Sequence, residues 1–242
     1  ATMAMGQELK DIFKGFSKLD RAERFRRLKD VGALTESDIK YLKSGGLQDF
    51  TLAENFIENV IGYFQIPLGV ATNFRIDGAD HVIPMAVEET SIVAAASKTA
   101  KWIRENGEIR TSTLGNLIIG QVQFGRVANF AAVQDVIFSN KQNLIDRANL
   151  EVAHGLVSRG GGVKDIIVRR VERGDGFDMA VVHVHMDPCD AMGANIINQV
   201  CEFLKQPIQE ITGETVTMCI LSNLVDSKLT EATVVIENID PE

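Results

Sequence analysis

The sequence predicts an α+β protein in which a small ferredoxin-like domain is inserted into a larger α/β domain. The first observation is the order of periodic segments over residues 118–221, which is strand, helix, strand, strand, helix, strand. That order is the split βαβ unit of ferredoxin-like domains. The second is an apolar–polar alternation over 70–76, followed by a hairpin signal at Asp77-Gly78. The expected ranges are 1–110 and 223–242 for the larger domain and 111–222 for the inserted one.

Helical signals dominate the first 62 residues. Residues 7–30 read as a basic amphipathic helix pair, and the next helix is expected over 35–43. Thr51-Leu52-Ala53-Glu54 matches a capping box, which predicts a third helix running to Ile61. Farther on, a helix over 91–105 is expected to be capped by Thr90 or Ser91 and closed by Gly107 in a left-handed conformation.

The inserted domain is expected to contain two long helices between its strands. Residues 131–158 read as mostly helical, with a break near Ser139-Asn140, and residues 191–205 as a second helix. The predicted strands, including one in the returning segment, are 118–124, 164–171, 179–186, 216–221 and 231–237.

The composition and charge of the chain indicate which kinds of partner and which cellular location to expect. The 242 residues are 45% hydrophobic and 24% charged, with a formal net charge of −8, so nucleic-acid binding is not expected. No apolar run approaches the ~18 residues of a membrane span, so no membrane association is expected. Three cysteines without a CxxC pair favour reduced thiols and a cytoplasmic location.

Two adjacent acids, Glu88 and Glu89, stand where a predicted strand meets the alanine-rich helix that follows. An acid at this junction would face a surface smooth enough for a ligand to lie against. The competing interpretation is that both acids only complement the helix dipole, which is worth roughly 0.3–1 kcal/mol each.

The stretch from Asp187 to Asn195 is a second strand-to-helix junction rich in small residues. The free N–H groups of a helix N-terminus favour an anion such as a pyrophosphate. The chain has no GxGxxG and no GxxxxGK[ST] motif, so a tight turn without a ligand is an equal alternative.

Other candidates are weaker. His183 and His185 share a strand face, but no ligand set at suitable spacing accompanies them, and no metal site is expected. The arginines of residues 21–27, with Lys14, form either a solvated face or a local phosphate-attracting patch.

Taken together, the motifs resemble the class II, bacterial-type 3-hydroxy-3-methylglutaryl-coenzyme A (HMG-CoA) reductases over nearly the whole chain. The resemblance implies two hydride transfers from NADPH or NADH, reducing HMG-CoA through mevaldehyde to mevalonate and coenzyme A, or the reverse. The segments that carry it are 58–62, 64–74, 88–97, 190–195 and 220–224.

The resemblance also implies roles for individual residues. Glu89 would be the catalytic acid, and whether burial raises its pKa or the helix N-terminus lowers it stays open. Ser91 would contact the hydroxymethylglutaryl group, and Lys14 would lie near coenzyme A. Glu58 and Asn59 would lie at the substrate site and the interface of a homodimer. The dinucleotide-binding positions would be Asp190, Met192, Gly193, Asn195 and Asn223.

Two departures from the family pattern affect the expected function. The family continues beyond the position of Glu242 with a catalytic lysine, aspartate and histidine, so a chain ending there is expected to be inactive alone. The alternative function is a module that binds coenzyme A or a dinucleotide without turnover. Family members that prefer NAD carry an acidic residue late in the long helix. In this chain the corresponding region, residues 150–154, places an apolar residue at the matching position, so we favour NADPH slightly.

Overall fold

The computed structural model describes residues 12–47 and 49–237. They fall into two compact units, which are described separately. The first contains the described residues up to Thr111 and those from Ala232 onward, and the second contains Ser112–Glu231.

The bounds of the helices and strands in these residues are as follows. The helices are α1 (Arg21–Asp30), α2 (Glu36–Ser44), α3 (Thr51–Glu54), α4 (Ile92–Asn106), α5 (Phe130–Glu151), α6 (His154–Val157) and α7 (Ala194–Thr212). The strands are β1 (Leu68–Ile76), β2 (Ala79–Ala86), β3 (Gly107–Thr113), β4 (Ile118–Val127), β5 (Gly162–Glu172), β6 (Asp178–Asp187), β7 (Met218–Leu221) and β8 (Thr230–Ile236). None of these helices has the length and hydropathy needed to cross a membrane.

The sheet of the first unit has the order β2-β1-β3-β8. Strands β1 and β2 form the predicted antiparallel hairpin, in which Asp77 and Gly78 both adopt positive φ, as a tight hairpin turn requires. Helix α4 packs against β1. This packing places the start of α4 beside the first residues of the strand.

The second unit is a four-stranded antiparallel sheet with the order β5-β6-β4-β7. This is the strand order of a ferredoxin-like domain, and the predicted α+β fold class is confirmed. Its core lies between the sheet and the helices α5 and α7. The fully buried members include Phe124, Ile137, Leu144, Met186, Ile197 and Leu204.

The predicted helix from Thr51 to Ile61 is wrong in its extent. Helix α3 ends after one turn at Glu54, and no side chain caps it; the Asp49 carboxylate accepts the Thr51 N–H at 2.9 Å. The apolar side chains that follow are exposed in this chain. A short helix depends on tertiary packing for its stability, and Ala53 is the only buried side chain among the four residues of α3.

The long helix of the second unit breaks thirteen residues later than expected. Helix α5 continues through Ser139 and Asn140, whose side chains donate to the carbonyls of Asp135 and Val136, and gives way at Val152. Ser and Asn side chains of this kind bond back to the preceding turn without breaking the helix. The sequence signal was read as a break because these residue types also favour turns.

The strand β3 was not predicted, and the reason given for Gly107 was wrong. Gly107 has an extended backbone rather than a left-handed one. A Cβ at that position would overlap the backbone of Val235 in β8. Glycine is therefore required there by the close approach of two strands.

Helix α7 begins at Ala194 and continues to Thr212, beyond the predicted end at residue 205. Pro207 lies inside it and is buried. A proline inside a helix removes one backbone hydrogen bond, so the continuation past Pro207 depends on tertiary packing rather than on local sequence preference.

We predict that Gly120→Ala destabilises the second unit by about 1–3 kcal/mol, the usual cost of overpacking a core. A methyl group there would overlap Cys201 Sγ and lie 2.7 Å from Ile197 Cγ1. Urea unfolding followed by circular dichroism measures the change. Gly155→Ala is the matched control, because a Cβ at Gly155 meets nothing within 4 Å. Equal stability of the two variants would contradict the packing described here.

Candidate functional site

The first unit contains an open groove of about 1400 Å³. Three of the predicted substrate residues, Lys14, Glu89 and Ser91, line it together. Glu58 and Asn59 are not among its lining residues. The structure thus brings together the predicted acid, the predicted hydroxyl and one predicted cation.

The start of α4 forms one wall of this groove. Ser91 precedes the helix with φ 71° and ψ −13°, and no side chain caps the helix. The first intrahelical bond runs from the Ala95 N–H to the Ser91 carbonyl at 2.8 Å, so the three preceding N–H groups have no intrahelical partner. The expected capping by Thr90 or Ser91 is therefore wrong, and the Ser91 hydroxyl does not serve the helix.

Glu89 lies in the bend between β2 and α4 and is exposed in this chain. Ile92, at the start of α4, is itself exposed, so the described residues do not bury Glu89. Glu89 is thus an exposed residue in the lining of the groove.

A bulge in β1 lies beside α4 and also lines the groove. The register with β2 shifts between Ala71 and Phe74, and Asn73 has φ 72°. The Thr72 N–H donates to Ser97 Oγ at 3.1 Å, and Asn73 Nδ2 donates to the Ser97 carbonyl at 3.3 Å. These bonds tie the strand to the helix. Sequence analysis missed this link, because alternation alone does not reveal an inserted residue.

Basic side chains surround the groove. Arg21 donates to the Leu42 carbonyl and Arg24 to the Ser17 carbonyl, which fixes both guanidinium groups at the groove. Lys98 and Lys101 of α4 also line it and were not singled out from the sequence. Their spacing from Ala94, at i+4 and i+7 along α4, was the signal that would have found them, since such residues share one helix face.

The remaining arginines of α1 belong to a surface ion-pair cluster. Arg26 and Arg27 both bond Glu23, at 2.6 and 2.9 Å, and Arg26 also bonds Asp30. The Arg26 and Arg27 guanidinium groups lower the pKa of Glu23 to about 2. Arg26 is exposed, as the solvated-face interpretation predicts, whereas Arg27 is partly buried and also donates to the Ile12 and Lys14 carbonyls.

Glu58 and Asn59 lie in an irregular segment, residues 55–67, that connects α3 to β1. Asn59 has φ 57°, and both residues are exposed. The same segment exposes several large apolar side chains, among them Phe56, Ile57, Ile61, Phe64 and Ile66.

The second unit holds the predicted dinucleotide loop between β6 and α7. Gly193 precedes the helix with φ 87°, and no side chain caps it. A Cβ on Gly193 would lie 2.6 Å from Ile118 Cδ1 and 2.7 Å from Pro188 Cβ, so glycine is required by both conformation and space. The other predicted cofactor residues, all exposed, are Asp190, Met192, Asn195 and Asn223.

Two side chains that sequence analysis did not select, the Asp187 carboxylate and the Asn116 amide, hold this loop in place through hydrogen bonds. Asp187 Oδ1 accepts the Cys189 N–H at 2.8 Å and Asn116 Nδ2 at 2.8 Å. Asn116 Nδ2 also approaches the Cys189 carbonyl at 3.3 Å. An Asp two residues before a turn residue was the local signal for the first contact, whereas Asn116 is distant in sequence.

Among the described residues, the histidine pair of β6 and the thiols of Cys201 and Cys219 are poor candidates for a further reactive site. Burial, with His185 nearby, lowers the pKa of His183, which therefore favours the neutral form. Within residues 12–47 and 49–237 no group of three possible metal ligands occurs. Burial raises the pKa of Cys201 to about 12 and of Cys219 to about 11, so both thiols stay protonated near neutral pH.

Comparisons with known proteins give one consistent result. The family model described as hydroxymethylglutaryl-coenzyme A reductase matches residues 21–240. A 3-hydroxy-3-methylglutaryl-coenzyme A reductase from Archaeoglobus fulgidus is 43% identical over 223 residues, covering 92% of this chain and 50% of the relative. The chain spans about half the length of the curated relatives it matches.

Solved structures agree with the family match. A reductase of the same name from Streptococcus pneumoniae aligns with a TM-score of 0.84 at 34% identity, covering 91% of this chain and 52% of that one. A second structure aligns equally well, and this chain covers 59% of it. It is the class II enzyme from S. pneumoniae bound to NADPH in open conformations. The resemblance found in the sequence is confirmed, and the chain belongs to the HMG-CoA reductase family.

Proposed function

We propose that this chain provides the substrate groove and the dinucleotide loop of an NAD(P)H-dependent HMG-CoA reductase. The reaction is the reduction of HMG-CoA to mevalonate and coenzyme A, or its reverse. The observation that carries the proposal is the placement of Glu89 and Ser91 at an uncapped helix start in a groove that Lys14 also lines. Family membership supports it.

The groove suits coenzyme A in shape and charge. Its walls combine aromatic and aliphatic side chains with the cations Lys14, Arg21, Arg24 and Lys98. Apolar surface suits the pantetheine arm, and ammonium and guanidinium groups suit phosphates. The small side chain of Ala94 leaves room for the acyl end beside Ser91.

Glu89 would act as the general acid at the reacting carbonyl. As hydride reaches the thioester carbon, the carbonyl oxygen gains negative charge, and a carboxyl proton delivered there prevents a free alkoxide. The C–S bond of the resulting hemithioacetal then breaks, which releases coenzyme A as the thiol and leaves the aldehyde. Reduction of the aldehyde by a second hydride needs the same proton transfer to its oxygen. The positive charge that stabilises the oxyanion would come from the lysine that the family carries beyond the position of Glu242.

The loop between β6 and α7 would hold the cofactor, which supplies the hydride when bound. The N–H groups of Ala194–Ile196 have no intrahelical partner and can donate to a pyrophosphate. Asp190, Met192, Asn195 and Asn223 are exposed around this helix start and would contact the rest of the dinucleotide. We favour NADPH over NADH, and the NADPH bound to the S. pneumoniae enzyme supports this choice.

We predict that Glu89→Gln, in the polypeptide carrying all segments of the family, lowers kcat by about 10²–10⁴-fold, the range for loss of a general acid. HMG-CoA affinity should change little, because the amide is isosteric. NADPH oxidation and isothermal titration measure the two quantities.

The matched control is Glu88→Gln, because Glu88 is exposed next to Glu89 but is not among the residues lining the groove. The Glu88→Gln variant should have the same kcat as the unsubstituted protein. Equal losses in both variants would show that the acids act only on the helix dipole, and the assignment of Glu89 would fail.

A binding module without turnover is the second candidate. The observation that favours it is that the described residues form a groove lined by cations and, separately, an uncapped helix start, and both features suit anionic ligands. It predicts binding of coenzyme A and NADPH by this chain without any oxidation of NADPH when HMG-CoA is added. Substrate-dependent oxidation by this chain would exclude it.

We also propose that the chain forms a homodimer through residues 55–68. This segment exposes Phe56, Ile57, Ile61, Phe64 and Leu68, and an apolar patch of this kind is typical of a protein interface. A second copy is the proposed occupant because the family works as dimers with Glu58 and Asn59 at the interface. A cytoplasmic location stays a prediction, supported by the odd number of cysteines.

The double variant Ile61→Glu/Phe64→Glu should be monomeric, because two buried charges would lack partners in the interface. Light scattering after size exclusion gives the mass. Phe138→Glu is the control, since Phe138 is similarly exposed in the second unit. A dimer that persists in the double variant would place the interface elsewhere.

A further inference from the structure

We infer that Asp187 and Asn116 are positioning residues that hold the loop between β6 and α7 in the shape needed for a dinucleotide pyrophosphate. This inference rests on the proposed cofactor function. Their proposed role is indirect, because Asp187 Oδ1 and Asn116 Nδ2 bond the backbone of the loop and each other.

The first step of the argument is that one oxygen organises the loop. Asp187 Oδ1 accepts two bonds of 2.8 Å, from the Cys189 N–H and from Asn116 Nδ2. The same Asn116 amide reaches the Cys189 carbonyl at 3.3 Å. Cys189 is therefore held through both of its backbone polar groups.

The second step is that the loop needs such support. Cys189 has φ 55°, a left-handed conformation that few residues other than glycine adopt without strain. On its other side the loop touches the turn before β5, where a Cβ on Gly161 would lie 2.6 Å from the Asp187 carbonyl and 2.7 Å from Cys189 Sγ. A loop that relaxed at Cys189 would move against this turn.

The third step connects Cys189 to the helix start. The Ala191 N–H donates to the Pro188 carbonyl at 3.2 Å, and Gly193 packs on Pro188 and Ile118. The conformation at Cys189 therefore sets where the backbone enters α7 and where its first N–H groups point.

An electrostatic role and a positioning role for Asp187 predict opposite effects on NADPH binding. A carboxylate near a bound pyrophosphate repels it, so a purely electrostatic role predicts tighter NADPH binding whenever the charge is removed. A positioning role predicts weaker binding when the acceptor oxygen is lost. Asn at this position retains an acceptor oxygen for both bonds, because both partners are donors.

The experiment measures the dissociation constant of NADPH by cofactor fluorescence with this chain. Asp187→Ala and Asn116→Ala should weaken binding about 5- to 50-fold, from the loss of one or two hydrogen bonds. Asp187→Asn should bind as tightly as the wild type or more tightly. Circular dichroism confirms that each variant is folded.

The control is Asp175→Ala in the hairpin at the opposite end of β6. Asp175 Oδ1 accepts the Phe177 N–H at 3.2 Å, the same two-residue relation as in Asp187 and Cys189. It should leave NADPH affinity unchanged. Unchanged or tighter binding by Asp187→Ala, or a loss in Asp187→Asn equal to that in Asp187→Ala, would overturn the inference.

A ligand-free measurement separates this inference from the proposed cofactor role. The backbone chemical shifts of Cys189 report its positive φ, and they should change in Asp187→Ala and persist in Asp187→Asn. If the wild type does not bind NADPH, the cofactor role of the loop fails. Unchanged Cys189 shifts in Asp187→Ala would overturn the positioning role whether or not NADPH binds.

Discussion

Each of the two candidate sites depends on a helix that begins without a side-chain cap. Most N-cap residues have an extended backbone and turn a side-chain oxygen onto the first free N–H groups. Ser91 and Gly193 instead adopt left-handed conformations, with φ 71° and 87°, and supply no cap. The unpartnered N–H groups are thereby left for a ligand, at some cost to the stability of the isolated helix.

Both helix starts are held in place by contacts away from the proposed ligand-binding N–H groups. In the first unit, Ser97 bonds the bulged strand through Thr72 and Asn73. In the second unit, Asp187 and Asn116 bond the strained loop at Cys189. A free helix start can remain ordered only if the surrounding structure fixes it, and these polar links provide that rigidity.

The sequence alone predicted the ferredoxin-like order of strands and helices. Apolar residues repeat with different periods in strands and in helices, and the core of that unit is continuous. The sequence also located both strand-to-helix junctions. The sequence did not predict where α3 ends. Residues 55–67 carry apolar side chains that are compatible with a helix, but in this chain those side chains are not buried in a core. The roles of Asn116 and Ser97 were equally hidden, because their partners lie far along the chain and only the fold brings them together. The assignments of Glu89, Ser91 and the loop residues came from family resemblance and stay proposals.

The most direct test of this account is a titration of the isotopically labelled chain, followed by amide chemical shifts, first with NADPH and then with HMG-CoA. The account predicts that NADPH shifts the amides of Ala194–Ile196 and that HMG-CoA shifts those of Ile92–Ala94. Shifts confined to other surfaces, with both helix starts unaffected, would contradict the claim that uncapped helix starts bind the ligands.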